Sequence, residues 1–271
     1  MKKIFVTTLC VLVISCFALA QAKAPTIKKQ SPHQNISTGA GISCGQDPIL
    51  PTDGSTTGDF VLGSANWYLV NLKAGHSYAV EVWDTTDATI GGTAMLALIA
   101  NDCTTTLPTT DVTTVDPDLS MSFGQRISWI QSADAQAYIQ LNTSDPSGNA
   151  YNIRVTDTTL WNQRWSTYAG FQTQLSFVNN SELSVTGTLT IYGTLPSAQG
   201  VLLIQSITVP PMQQTFITFP STSTQVPLNH AGFATFAFVG PAGSITSDAY
   251  FLNGNVTVVV PTAFGPRNYQ H

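Results

Sequence analysis

Tyr78-Ala79-Val80-Glu81-Val82 alternates apolar and smaller or charged residues one by one. Successive side chains of an extended chain point to opposite faces, so Tyr78, Val80 and Val82 share one face and Ala79 and Glu81 the other. The same period of two returns later. Ile139 and Leu141 alternate with Tyr138, Gln140 and Asn142, and Ile153 and Val155 alternate with Asn152, Arg154 and Thr156. Asp145-Pro146-Ser147-Gly148-Asn149 separates these two runs with residues that favour a turn. From Asp59 onward short runs of this kind recur at a spacing of roughly 8–12 residues, the signature of a sandwich or barrel. No stretch sustains the 3.6-residue period of an amphipathic helix, so few helices are expected.

The second half reads the same way. Candidate strands cover residues 172–178, 185–192, 201–209, 215–219, 233–239, 245–252 and 256–260. Leu175 and Phe177 point one way and Gln174 and Ser176 the other. Thr186, Thr188 and Thr190 form a solvated stripe opposite Leu189 and Ile191. About seven short antiparallel strands over about 100 residues suit an immunoglobulin-like sandwich. Trp67, Trp83 and Trp129 fall in predicted strands and are expected in or beside the core.

Composition bounds the partners. The 271 residues are 43% hydrophobic, enough for a core, but only 9% are charged, against about 25% in an average soluble protein. Thr, Ser, Asn and Gln take the solvated positions, as in secreted β proteins. Thr suits a pleated surface through its β-branch and turns its hydroxyl to water. Ten Lys and Arg against fifteen Asp and Glu leave no basic cluster for nucleic acid. Between Gln30 and Asp157 thirteen acids face three bases, a balance of −10, whereas from Thr158 onward two acids face two bases. An acidic half followed by a neutral half implies two units with different surfaces.

The start reads as a secretory signal: Lys2 and Lys3, an apolar stretch from Ile4 to Ala20, and the small–x–small pattern Ala18-Leu19-Ala20. The apolar stretch is shorter than the roughly 20 residues that span a bilayer, and no later segment approaches that length. An uncleaved anchor, or lipidation at Cys16 through Val13-Ile14-Ser15-Cys16, are the alternatives. Beyond the signal two cysteines remain, Cys44 and Cys103. In an oxidising compartment they read as one disulfide, the alternative being two separate buried thiols. The organisation expected is a cleaved signal peptide over 1–20, a flexible leader over 21–43 (rich in Pro and Gly), a first sandwich over 44–158, a second over 161–264 and a tail over 265–271. The location expected is secreted, cell-surface or periplasmic.

The segment from Asn66-Trp67-Tyr68-Leu69-Val70-Asn71-Leu72 through Lys73-Ala74-Gly75-His76-Ser77-Tyr78 resembles the opening of the bacterial pre-peptidase C-terminal domain. Ala100-Asn101-Asp102 after an apolar strand, Ala137-Tyr138-Ile139 and Tyr151-Asn152-Ile153-Arg154-Val155 extend the resemblance over about residues 44–158. Asn66 stands where that family usually has Asp, and residues 111–118 form an unusual insertion. The resemblance implies a jelly-roll-type β-sandwich that serves as an accessory, sometimes ligand-binding, module of secreted proteins. The second half looks like uncharacterised sandwich modules of secreted bacterial proteins, through Val178-Asn179-Asn180-Ser181 before a strand.

Familiar catalytic patterns are missing. Gly41-Ile42-Ser43-Cys44-Gly45 matches the esterase G-x-S-x-G, but that motif needs an apolar strand before it and a helix after it, and the flanking residues supply neither. The four histidines, His33, His76, His230 and His271, fall in no metal or triad spacing, and His76 and His230 read as exposed turn residues. Glu81 and Glu182 lie in different units, which removes a glutamate pair for glycoside cleavage. No Gly-rich loop opens a helix for phosphate. No cofactor is therefore expected. The loop acids Asp84, Asp87, Asp102, Asp116 and Asp118 suit a hard cation such as calcium through oxygen ligands, or else read as solvated loop acids. Trp161, Trp165 and Tyr168, between the units, suit a binding surface such as sugar stacking, or else packing between domains. The function expected is a non-enzymatic binding, adhesion or scaffold protein of the envelope or extracellular space, with a carbohydrate-binding accessory module as alternative and an unfamiliar hydrolase as a third reading. Its partners would be an extracellular polysaccharide or protein, with self-association through exposed sheet edges.

Overall fold

The alternation of Tyr78 to Val82 becomes burial on both sides of a sheet. The computed structural model describes residues 41, 43–45, 47–61, 64–84, 94–114, 124–144, 148–219, 226–253 and 256–266. The expected signal peptide, most of the leader, part of the 145–149 turn, the last residues of the tail, and Asp87, Asp116 and Asp118 lie outside them. The first half holds β1 (Asp53–Val61), β2 (Asn66–Leu72), β3 (Ser77–Asp84), β4 (Ala94–Ala100), β5 (Thr110–Asp111), β6 (Gln125–Ile130), β7 (Ala135–Thr143) and β8 (Asn149–Asp157). One sheet runs β1-β8-β3-β6-β5 and the other β2-β7-β4, all antiparallel. The first four strands of the larger sheet and the three of the smaller are a jelly roll in which the fifth of eight sandwich strands is reduced to the bridge Ile99–Thr106.

The two sheets close on one core. Tyr68, Val70 and Leu72 from β2, Leu96 and Leu98 from β4, and Ile139 and Leu141 from β7 meet Val80, Val82, Ile127, Ile153 and Val155. Each such side chain contributes about 1.5–3 kcal/mol relative to exposure, as an upper figure. Tyr68 and Tyr151 bring hydroxyls into this core and join them at 2.5 Å, with Asn66 Nδ2 donating to Tyr151 at 2.6 Å. Burial pushes both phenols well above the ordinary tyrosine range. The other face of β3 is not solvated: Ala79, Glu81 and Trp83 are buried as well.

Cys44 and Cys103 stand at disulfide distance, Cα–Cα 5.8 Å. The bridge ties the segment lying along β2, through Gly41–Trp67 and Ile49–Leu69, to the turn that leaves β4.

The second half holds β9 (Leu160–Ser166), β10 (Gln172–Asn179), β11 (Val185–Leu195), β12 (Ala198–Val209), β13 (Gln214–Phe219), β14 (Ala231–Phe238), β15 (Ile245–Asn253) and β16 (Val256–Pro266). The one helical feature among the described residues is a 3-10 turn, Tyr168–Gly170. The sheet order is β12-β11-β14-β9-β16-β15-β10-β13. Its two halves fold over one core of Leu175, Phe177, Leu189, Ile191, Phe236 and Phe238, with β16 passing from one half to the other. If β10 to β14 are matched to strands B, C, C′, E and F, the immunoglobulin neighbours B–E, C–C′ and C–F are present. The rim departs from that order: the first strand, β9, lies beside β14, and β15 lies beside β10. The sandwich therefore has eight strands rather than the seven expected, and the last runs to Pro266, into the expected tail.

The additional strand, β9, explains Trp165. Leu160 is buried in the core, the register then shifts between Gly232 and Ala234, and Trp165 points inward again. Asn162, buried, accepts the Arg164 N–H at 2.6 Å across that irregularity. Trp165 is 0% exposed and its Nε1 donates to Tyr192 O at 2.9 Å and Phe233 O at 3.2 Å. Gly232 makes the fit: a Cβ there would stand 1.7 Å from Tyr192 O and 2.9 Å from Trp165 Nε1. Trp165→Phe is expected to lower stability by about 2–3 kcal/mol, from lost ring contacts and carbonyls left short of a donor. Urea unfolding reads this, and a loss below ~0.5 kcal/mol would mean that the site is wet.

Candidate binding face

Core side chains of β11 alternate with outward ones, and the outward ones line up across four strands. Tyr192 pairs with Val201 of β12 on one side and Phe233 of β14 on the other. The next outward row is Ile204, Thr190, Thr235 and Trp161. Ser206, Thr188 and Ala237 follow, then Thr208, Thr186 and Val239. The face therefore has an apolar, aromatic end and a hydroxyl end. Tyr192 and Phe233 stack at 4.5 Å with 9° between planes, Phe233 and Trp161 at 6.2 Å and 19°, and His76 meets Trp161 edge-on at 5.5 Å. At the free margin Val201 is 54% and Ile204 65% exposed. Rings stacked on one another spend their faces internally, so a partner meets ring edges and the aliphatic margin.

The first sandwich lies over part of this face. Gly240 N donates to Ser128 Oγ at 3.1 Å, and both residues are buried. A cleft opens on each side of that contact. One, of about 410 Å³, has Thr186, Thr188 and Ser206 on one wall and Thr110, Asp111 and Ile130 on the other. The second, of about 250 Å³, lies between Gly75 and His76 on one side and Trp161, Tyr192, Phe233 and Thr235 on the other.

His76 is not the exposed turn residue expected. Its Nδ1 lies 2.6 Å from Asp157 Oδ2, both side chains mostly covered, and its ring lies along Tyr78. Burial pushes the Tyr78 phenol up to about 12. Asp157 also accepts the Thr159 N–H, Thr158 Oγ1 donates to Ser77 Oγ, and Ser77 N donates to Thr159 Oγ1. The link from β8 to β9 is thereby clamped to the start of β3. A histidine held by an aspartate is the base half of a hydrolase triad. Among the described residues no hydroxyl is hydrogen-bonded to that imidazole. His230 Nδ1 donates to Leu228 O at 2.8 Å and Nε2 takes Ser197 Oγ at 3.0 Å, an arrangement that fastens the β11–β12 hairpin to the turn before β14.

The three aromatic residues singled out in the sequence do not form one platform. Trp161 lies on the outward face, half-buried. Trp165 is inside the core and presents no ring face to a ligand, which removes it from the binding set. Tyr168 is exposed in the 3-10 turn beyond the far end of β9. Of the five loop acids, Asp84 ends β3, and only the Asp102 carboxylate is described. It accepts Thr104 N, Thr105 N and Thr105 Oγ1, which hold it at about 2 and close its own turn. Among the described residues no group of three His, Cys, Asp or Glu is placed to hold a metal. Asn179, of the Asn-x-Ser signature, is buried. Its amide donates to Leu183 O and Val209 O, and its oxygen accepts from Ser181, so the motif is a turn clamp.

Tyr192 could have been found, since it continues the Thr186, Thr188, Thr190 stripe by one step. Phe233 and Val201 carry no such signal, because strand register brings them beside Tyr192, and His76 reaches Trp161 from the turn before β3. No protein-family model matches the chain, and no curated protein matches it.

Proposed function

We propose that the chain is an exported, non-enzymatic binding protein that works in adhesion or as a scaffold at the cell surface. The observation that carries this reading is the outward row Val201–Tyr192–Phe233 with Ile204 at its margin. Exposed apolar side chains gathered on a rigid sheet, rather than scattered singly, mark contact surfaces. The signal-like start and the Cys44–Cys103 pair support export into an oxidising compartment. The jelly-roll order supports the resemblance of the first half to the pre-peptidase C-terminal domain, an accessory module. The test is retention of the purified protein on matrix proteins, insoluble polysaccharides and intact cells, with and without calcium. Saturable retention on a surface is expected; no retention on any of them removes the reading.

A second reading, recognition of a neutral glycan, is favoured by the smaller cleft, where Trp161 and His76 stand beside Thr159 and Thr235. Uncharged hydroxyls and aromatic edges there suit a sugar without acidic groups. Trp161→Ala is then expected to weaken glycan retention at least tenfold, about 1.4 kcal/mol. Unchanged retention removes this cleft from consideration.

A further inference from the structure

We propose that β12 is a seam through which two copies of this chain join edge to edge. The inference rests on the adhesion or scaffold reading and names the partner of its contact face. An edge strand exposes a row of unpaired N–H and C=O groups, and proteins blunt such edges with charges, bulges, shortness or a covering segment.

Among the described residues the other edges are charged, covered or half the length of β12 or less. β1 carries Asp53 and Asp59 and a register shift between Asp53 and Thr56. β5 is two residues long. The edges of the smaller sheet are covered, β2 by the bridges to Gly41 and Ile49 and β4 by the bridge to Thr106. β13 has six residues. β12 has twelve, Ala-Gln-Gly-Val-Leu-Leu-Ile-Gln-Ser-Ile-Thr-Val, with no charge and no proline. Its one irregularity lies opposite Ile191 and Tyr192, which leaves the run from Leu203 to Val209 in regular register with β11.

A second copy is the occupant this strand fits. With no charged side chain, β12 offers nothing by which to select a charged partner strand, and nothing that repels its own copy. The half of the chain that carries it is balanced in charge, two acids against two bases, while the acidic excess lies in the other half. Pairing would also extend the Val201–Tyr192–Phe233 row across the seam and cover Ile204. A strand of this length is below the roughly 20–30 residues a side of a standard interface, so the dimer is expected to dissociate at about micromolar concentration.

Sedimentation or light scattering of the purified protein over a concentration series tests this. A concentration-dependent dimer is expected. Ile204→Lys, at a position 65% exposed, should weaken it at least a hundredfold with an unchanged circular dichroism spectrum. Phe216→Lys, 50% exposed on β13, should leave it intact. A protein that stays monomeric at about a hundred times the micromolar range, a dimer indifferent to Ile204→Lys, a dimer broken instead by Phe216→Lys, or open-ended fibres in place of dimers would each overturn the seam. Retention on cells, read separately, decides the function: a monomer that is still retained overturns the seam and leaves the adhesion reading standing.

Discussion

Glu81→Ala is expected to cost about 3–5 kcal/mol of folding stability, because it strands charge in a closed place. Glu81 and Arg126 are each 1% exposed, on the face of β3 and β6 that turns away from the first core. Glu81 Oε1 lies 3.7 Å from Arg126 Nη1 and Oε2 lies 2.5 Å from Arg154 Nε, while Arg154 rests 5.4 Å over the Trp83 ring. Arg126 Nη2 also donates to Thr113 O at 3.3 Å. A guanidinium does not neutralise by losing its proton. Removing the carboxylate therefore takes away, out of water, a counter-charge that Arg126 and Arg154 share. Urea unfolding of Glu81→Ala and Glu81→Gln reads the cost. The triple variant Glu81→Leu with Arg126→Met and Arg154→Met separates causes: exchange of the whole ionic cluster for apolar groups is expected to cost less than Glu81→Ala alone. If both single variants stay within ~1 kcal/mol of the parent, water reaches the cluster.

Removing the disulfide, as Cys44→Ser with Cys103→Ser, is expected to cost about 4 kcal/mol by the loop-entropy relation for the 59-residue separation. For a protein of this size that is a fall in Tm of roughly 10 °C. The loss acts mainly on the unfolded chain, so the native near-ultraviolet spectrum should survive in the variant below its Tm. Thermal unfolding with and without reductant checks the pair. A parent indifferent to reductant would mean that the cysteines are not joined.

Much of the first half was legible because its strands keep a strict period of two. Val80, Val82, Ile139, Leu141, Ile153 and Val155 all face the core that the alternation predicts. The alternation misled at Ala79 and Glu81: it reports which residues share a face and is silent on whether a second layer covers the other. β9 was missed for a physical reason. Its inward positions run Leu160, Asn162, then Trp165, so the register shift breaks the period and a buried Asn occupies a core position. The segment reads as a polar linker with aromatic residues, and Trp165 reads as available. The candidate face was legible in one strand only. The Thr186, Thr188, Thr190 stripe marks the outside of β11, but Val201, Phe233 and Trp161 join it by cross-strand register, which a single sequence does not carry.

The strand order has a consequence for biogenesis. In the first sandwich β1 hydrogen-bonds to β8, Thr56 opposite Arg154. In the second, β9 meets β16, Trp161 opposite Gly265. Each sandwich is thus latched by its first and last strands, and in a chain delivered from its N-terminus β1 waits for β8, and β9 for β14 and β16. Contacts so distant in sequence fold slowly, and the β11–β12 hairpin would be synthesised well before β14 and β16 arrive to complete its layer. A nascent or nicked chain lacking those last strands would be the aggregating species, so quality control of this protein should act on its C-terminal end.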